Sequence, residues 1–264
     1  MISVRPPAVA GSFYSADSKR LTNQLALLFE SVTPIAGSIQ HPVKALIVPH
    51  AGYQYSGTTA AQAYQLLKPD LNIERIVIIG PCHRVFIHGL AVPSCDYFST
   101  PLGELPIDKE ALSIALRFAQ VQVNDPAHQQ EHSIEVQLPF VQRIYGEMPI
   151  LPIVFGDVSS EKVAEVLSPL LDLPGTLLLV SSDLSHFHDY NTARRIDLQT
   201  TQLIEDGQYQ LIDHNRACGS TGINALLKIA KEKNWKVSTL SQCNSGDTAG
   251  DHSRVVGYGA YAIY

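Results

Sequence analysis

Four short apolar runs, each followed by a polar cluster, constrain this chain more than any other feature. VKALIVP (43–49), RIVIIG (75–80), ILPIVF (150–155) and TLLLVS (176–181) are rich in Val, Ile and Leu and scarcely alternate with polar residues. Strands of that kind are buried on both faces, as in a sheet covered by helices. Trp235–Ser241 and Arg254–Tyr264 read as two more strands. Between them lie stretches with apolar spacing near 3.6: Ser18–Val32, Ser56–Leu67, Lys109–Phe118, His132–Tyr145, Ser160–Leu171, Thr192–Ile204 and Thr221–Lys231. Strands alternating with helices predict an α/β fold, a central, mostly parallel β-sheet flanked by helices on both faces. No repeat, low-complexity tract or linker interrupts the pattern, so residues 1–264 read as a single domain.

Charge and composition remove several function classes. Acidic residues outnumber basic ones, 25 to 19, and the bases are scattered, which leaves no footprint for a nucleic-acid backbone. No run approaches the ~20 apolar residues of a membrane span. The start, MISVRPPAVAGSFYS, lacks a basic segment followed by an apolar one. The expected location is the cytoplasm, with neither nucleic acid nor membrane as partner. Cys82, Cys95, Cys218 and Cys243 form no CxxC pair and read as free thiols or single ligands rather than disulfides.

In open α/β sheets ligands bind beyond the carboxyl ends of the strands. His50 follows the first run, His83 the second, Asp183 and His186 the fourth, and Cys243 the strand at Trp235–Ser241. Imidazole and thiolate suit zinc, iron or copper, whereas calcium and magnesium want mainly oxygen. His50, His83 and Cys243 give three ligands and leave an open position, as catalytic metal sites do. Asp183 and His186, three residues apart, form an expected acid/base pair in which the carboxylate orients the imidazole.

The remaining candidates carry plainer readings. His41, His88, His188, His214 and His252 are expected to be solvated or structural. Cys82 and Cys218 are expected to be ordinary buried thiols. In HQQEHSIE (128–135), His128 and His132, and likewise Glu131 and Glu135, stand four apart and can share a helix face. That stretch fits a helix start with acidic residues favouring the dipole as well as it fits a metal site. Glu131 and His132 are assigned a supporting role behind the ligands. The glycine turns match neither a Walker A loop nor a dinucleotide fingerprint, so no nucleotide cofactor is expected.

These motifs resemble the Memo family, related in fold to the class III extradiol dioxygenases of the LigB type. The likeness runs from Arg5 and AGSFY (10–14) through PHAGYQYSG (49–57), GPCHR (80–84), EHSIEVQLPF (131–140) and SSDLSH (181–186) to SQC (241–243). It implies a single α/β domain and a metal at His50, His83 and Cys243. It also implies Asp183 and His186 beside the metal, with Phe13 and Tyr55 lining the pocket. Radical-SAM and AMMECR-type proteins are the partners that the resemblance suggests. Two departures stand out. Extradiol enzymes use a carboxylate where Cys243 would bind, and Phe13 stands where some relatives have Trp.

The reading favoured is a metal-dependent oxidoreductase using ferrous iron, with copper or zinc as alternatives, and His186 moving protons. A non-enzymatic module that binds a peptide or partner protein in the same pocket ranks second. A zinc hydrolase ranks third, and a metal-free Cys243–His186–Asp183 nucleophile last. The substrate, a small molecule or peptide, is not legible in these residues.

Overall fold

The computed structural model describes residues 2–34, 42–69 and 72–264; His41 lies outside the described residues. In chain order the first elements are β1 (Val4–Arg5), α1 (Ser18–Glu30), β2 (Ala45–Val48), α2 (Tyr53–Tyr64) and β3 (Arg75–Pro81). Short strands follow, β4 (Leu90–Val92), β5 (Tyr97–Thr100) and β6 (Gly103–Pro106), then α3 (Lys109–Ala115), β7 (Val121–Val123) and α4 (Asp125–Gln129). A 3-10 turn, Glu135–Gln137, leads into α5 (Leu138–Tyr145), β8 (Ile150–Phe155), α6 (Ser160–Leu171) and β9 (Thr176–Ser181). The chain ends with β10 (His186–His188), α7 (Tyr190–Glu205), α8 (Ser220–Glu232), β11 (Val237–Asn244), α9 (Ser245–Ala249) and β12 (Val255–Ile263).

The large sheet has the order β10-β12-β2-β9-β3-β8-β4-β7, with β11 on the outside of β12. Its heart, β2, β9, β3 and β8, is parallel, with Ile47 and Ile79 both in register with Val180. Towards the edges the sheet turns mixed. β12 is antiparallel to β2, β10 and β11 are antiparallel to β12, and β4 is antiparallel to β8. The expected parallel sheet is therefore the centre of a larger mixed one.

Alternation within the central strands builds two cores, because successive side chains point to opposite faces. Leu46, Val48, Ile76 and Ile78 pack with Leu21, Leu25, Tyr64 and Phe140 of α1, α2 and α5. Ala45, Ile47, Val77 and Ile79 pack with Val163, Leu167, Ile223 and Leu227 of α6 and α8. That double coverage explains why the strands read as unbroken apolar runs. Among the described residues no helix is long and apolar enough to cross a membrane.

One expected helix is shorter than its sequence pattern. The stretch His132–Tyr145 becomes regular only at Leu138. The backbone N–H groups of His132 and Ser133 donate to the Glu131 carboxylate, at 2.8 and 2.9 Å, instead of entering a helix that continues α4. His128 and His132 consequently do not share a helix face. His128 is buried against the Ala91 carbonyl, 3.0 Å from its Nε2, and burial lowers its pKa to about 4.

Candidate metal centre

Strand order brings the site together. β9 lies between β2 and β3, and all three run parallel, so the segments leaving their carboxyl ends converge on one edge. His50 leaves β2, His83 follows β3, and Ser181, Asp183 and His186 come at or just beyond the end of β9. The irregular stretch before α5 adds His132 from the α2 side. Among the described residues, His50, His83 and His132 bring ring nitrogens within 4.8 Å of one another, a grouping able to hold a metal ion. Their ring centroids are 4.7 to 5.4 Å apart.

Hydrogen bonding fixes which nitrogen of the His50 and His83 rings is free. Ser181 has one hydroxyl proton, and it goes to the Ser133 carbonyl at 2.5 Å. Ser181 Oγ can therefore only accept from its other neighbours, His50 Nδ1 at 2.9 Å and Gln137 Nε2 at 3.0 Å. His50 thus carries its proton on Nδ1 and presents a lone pair at Nε2. Burial, reinforced by the neighbouring His83 and His132, pushes its pKa well down, which keeps the ring neutral. Neutral imidazole is the form that binds metals.

Glu131 does the same for His83 and stands beside the His132 ring. Its Oε1 lies 3.0 Å from His83 Nδ1 and 3.1 Å from His132 Nδ1, the second too poorly aligned for a hydrogen bond. Its Oε2 accepts the His83 backbone N–H at 2.5 Å. Burial pushes this carboxyl up, but donors from His132, His83 and Ser133 outweigh it and hold the group well below the usual carboxylate range. An ionised carboxylate only accepts, so His83 Nδ1, hydrogen-bonded to it, carries the proton and His83 Nε2 is left free. Glu131 thus lies behind the His83 and His132 rings, and His132 belongs to the grouping of ring nitrogens.

Cys243 stands outside that group. β11 runs in the same direction as β2 but two strands away, about 10 Å at the usual spacing. Its thiol turns to α2 and lies 3.0 Å from Thr59 Oγ1. Burial, more than any neighbour, raises its pKa. The third ring of the grouping is His132, and Cys243 is not part of it.

The expected acid/base pair is also arranged differently. Asp183 Oδ1 accepts the His50 backbone N–H at 2.8 Å, and burial raises its pKa. His186 is instead oriented by the Leu184 carbonyl, 2.9 Å from its Nδ1, which leaves Nε2 as the basic nitrogen. His186 sits at a register shift where β10 meets β12. The next residue, Phe187, has a φ of 63° and is 61% exposed. A positive φ is uncommon for a bulky side chain, and strain of this kind gathers at functional sites. Arg254 stacks over the Phe187 ring at 4.9 Å.

Phe13 lies against the centre. The Phe13 ring lies 4.8 Å from His132, and its carbonyl accepts the Tyr53 N–H that begins α2. Tyr55 is half-buried in the first turn of α2. The sequence reading missed Ser181, Gln137 and Ser133. Their signal was present in SSDLSH and EHSIEVQ, but a hydroxyl or amide that orients a ligand is not distinguishable by type from one that caps a turn.

Comparison with known proteins agrees with this architecture. The family model for Memo-like protein matches residues 5–262. A MEMO1 family protein of Thermotoga maritima is 35% identical, covering 96% of this chain and 97% of the relative. Another, from Thermoplasma volcanium, is 34% identical over 97% of this chain and 96% of its own length. The crystal structure of an uncharacterized Escherichia coli K12 protein shares the fold. It superposes with a TM-score of 0.54 at 12% identity, over 83% of this chain and 99% of that one. With motifs, fold and matches in agreement along nearly the whole length, the chain belongs to the Memo-like protein family.

Proposed function

We propose that this chain is a metal-dependent oxidoreductase whose metal is held by His50, His83 and His132. The observation that carries the reading is the set of three clustered rings, with the Nδ1 atoms of His50 and His83 tied back by Ser181 and Glu131. Such a set suits iron, copper or zinc and leaves coordination positions open. Iron or copper bound there supplies one-electron chemistry with O₂ or a reducible substrate at an open position. The chain's own residues do the rest. His186 exchanges a proton with the substrate through Nε2, its Nδ1 proton being held by the Leu184 carbonyl. Phe13 shields the His132 ring on one side.

The test is elemental analysis of anaerobically purified protein, followed by O₂ uptake. The wild type should carry close to one equivalent of iron or copper, and His83→Ala should lose it. His186→Gln should keep the metal but slow O₂ consumption by roughly 10²- to 10⁴-fold, the usual contribution of a positioned acid/base. Iron-loaded wild type that neither consumes O₂ nor changes oxidation state would defeat the proposal. A second reading, a module that docks a peptide, is favoured by the exposed rings of Phe86 and Phe187 in the segments that follow His83 and His186. In that case Phe187→Ser would abolish capture of the partner while His186→Gln left it intact.

A further inference from the structure

A cleft of about 290 Å³ opens on the flank of the sheet, between α7, the end of β11 and the start of α9. It lies away from the histidine grouping, because β11 stands two strands from β2. Arg194 and Asp197 line it from α7, where a spacing of three places them on one helix face. Gln242 and Asn244 line it from β11. Cys243, between them, turns its thiol to α2, so alternation along the strand gives the two amides to the α7 side.

Two opposite charges meet in this cleft, and neither has a partner. Asp197 is 1% exposed, yet among the described residues no cationic side chain lies within ion-pair distance of it. Its Oδ1 accepts the Ser185 N–H at 3.0 Å, and its Oδ2 lies against Gly257, where a Cβ would collide with it. Burial raises the Asp197 pKa, and His186 and His188 lower it only from a distance. A buried, ionised carboxylate with one donor is costly unless a cation comes to it. Arg194 is exposed at the mouth of the cleft, its guanidinium 5.7 Å over the Tyr190 ring. Among the described residues it too has no carboxylate partner, and it does not pair with Asp197. Asp247 is already engaged, accepting the Tyr190 hydroxyl at 2.6 Å and the Asn244 N–H at 2.9 Å.

That asymmetry selects the ligand. An anion would settle on Arg194 and leave Asp197 uncompensated, and a cation would do the reverse. A zwitterion satisfies both ends at once. The cleft falls just below the roughly 300–1,000 Å³ of pockets for drug-sized molecules, which leaves room for a small one. We propose that this cleft binds a small α-amino acid, with its ammonium on Asp197 and its carboxylate on Arg194. The Gln242 amide, which makes no hydrogen bond within the described residues, is the neutral donor beside that carboxylate.

Isothermal titration of the full-length chain with glycine, L-alanine and L-serine tests this, with acetate and ethylamine as carriers of one charge each. At least one amino acid should bind one-to-one and raise the Tm, with acetate and ethylamine weaker by roughly tenfold or more. Arg194→Met, at an exposed position, should weaken the amino acid roughly tenfold, and Asp197→Asn roughly 30-fold or more. Should Asp197→Asn fail to fold, Arg194→Met and the two single-charge probes decide. His83→Ala should bind the amino acid as the wild type does, which separates this cleft from the metal centre. Neither heat nor a rise in Tm with any of the three amino acids would overturn the proposal, as would undiminished binding to Arg194→Met. Acetate as tight as glycine would reduce the cleft to an anion site at Arg194, and ethylamine as tight would reduce it to a cation site at Asp197; either overturns the assignment.

Discussion

Glu131→Gln is expected to weaken metal binding about 10- to 100-fold, the usual effect of losing the group that orients ligand histidines. The same change should destabilise the fold by about 3 kcal/mol. Every neighbour of the Glu131 carboxylate is a donor: the His83 N–H, His83 Nδ1, and the N–H groups of His132 and Ser133. Glutamine keeps one acceptor but turns an NH₂ towards donors at the other oxygen, and it removes the charge that sets the tautomer of His83. Competition titration with a chelator reads the first effect and urea denaturation the second. Unchanged metal affinity would mean that the two rings are held by packing alone.

The pH dependence of that difference has a definite sign. Despite the upward push of burial, donors from His132, His83 and Ser133 lower the folded-state pKa of Glu131 from its ordinary 4.5. A depressed carboxyl contributes stability that is fully present above the unfolded value and is lost as pH falls through the folded one. The stability gap between wild type and Glu131→Gln should therefore be constant above about pH 5 and narrow below it. Urea midpoints measured from pH 7 down to the acid limit check this; a gap that widens in acid contradicts it.

Much of this centre was legible because buried parallel strands announce themselves. Ile150–Phe155 and Thr176–Ser181 begin and end where their apolar runs do. His50 and His83 followed from asking what lies beyond the ends of β2 and β3. The same question brought in Cys243, which lies outside the histidine grouping, because strand ends were weighed alike without knowing strand order. β12 separates β11 from β2, and a lateral offset of two strands is invisible in sequence. His132 was obscured for a different reason. Its spacing from His128 fits a helix, but the Glu131 side chain takes the N–H groups that a helix would use.

Arg5→Met should destabilise the protein by about 3–5 kcal/mol, since it strips the counter-charge from a buried carboxylate. Glu135 is 0% exposed and takes Arg5 Nη1, the N–H groups of Ala8 and Val9, and the Tyr14 hydroxyl at 2.6 Å. The remaining guanidinium donors hold the carbonyls of His128 and Glu131, each with a bond at 2.8 Å, so one side chain clamps both ends of the segment that delivers Glu131. At this chain length the loss corresponds to a fall in Tm of roughly 10 °C. Adding Glu135→Gln removes the stranded charge, and the double variant should recover about 1–3 kcal/mol relative to additivity. Because Phe13 and Tyr14 belong to the strap that Glu135 anchors, Arg5→Met should also loosen the contact between Phe13 and His132 and lower metal affinity. Strictly additive single and double variants in urea denaturation would show that Arg5 and Glu135 act separately, and that the amino-terminal strap is held to the metal-bearing segment by apolar packing instead.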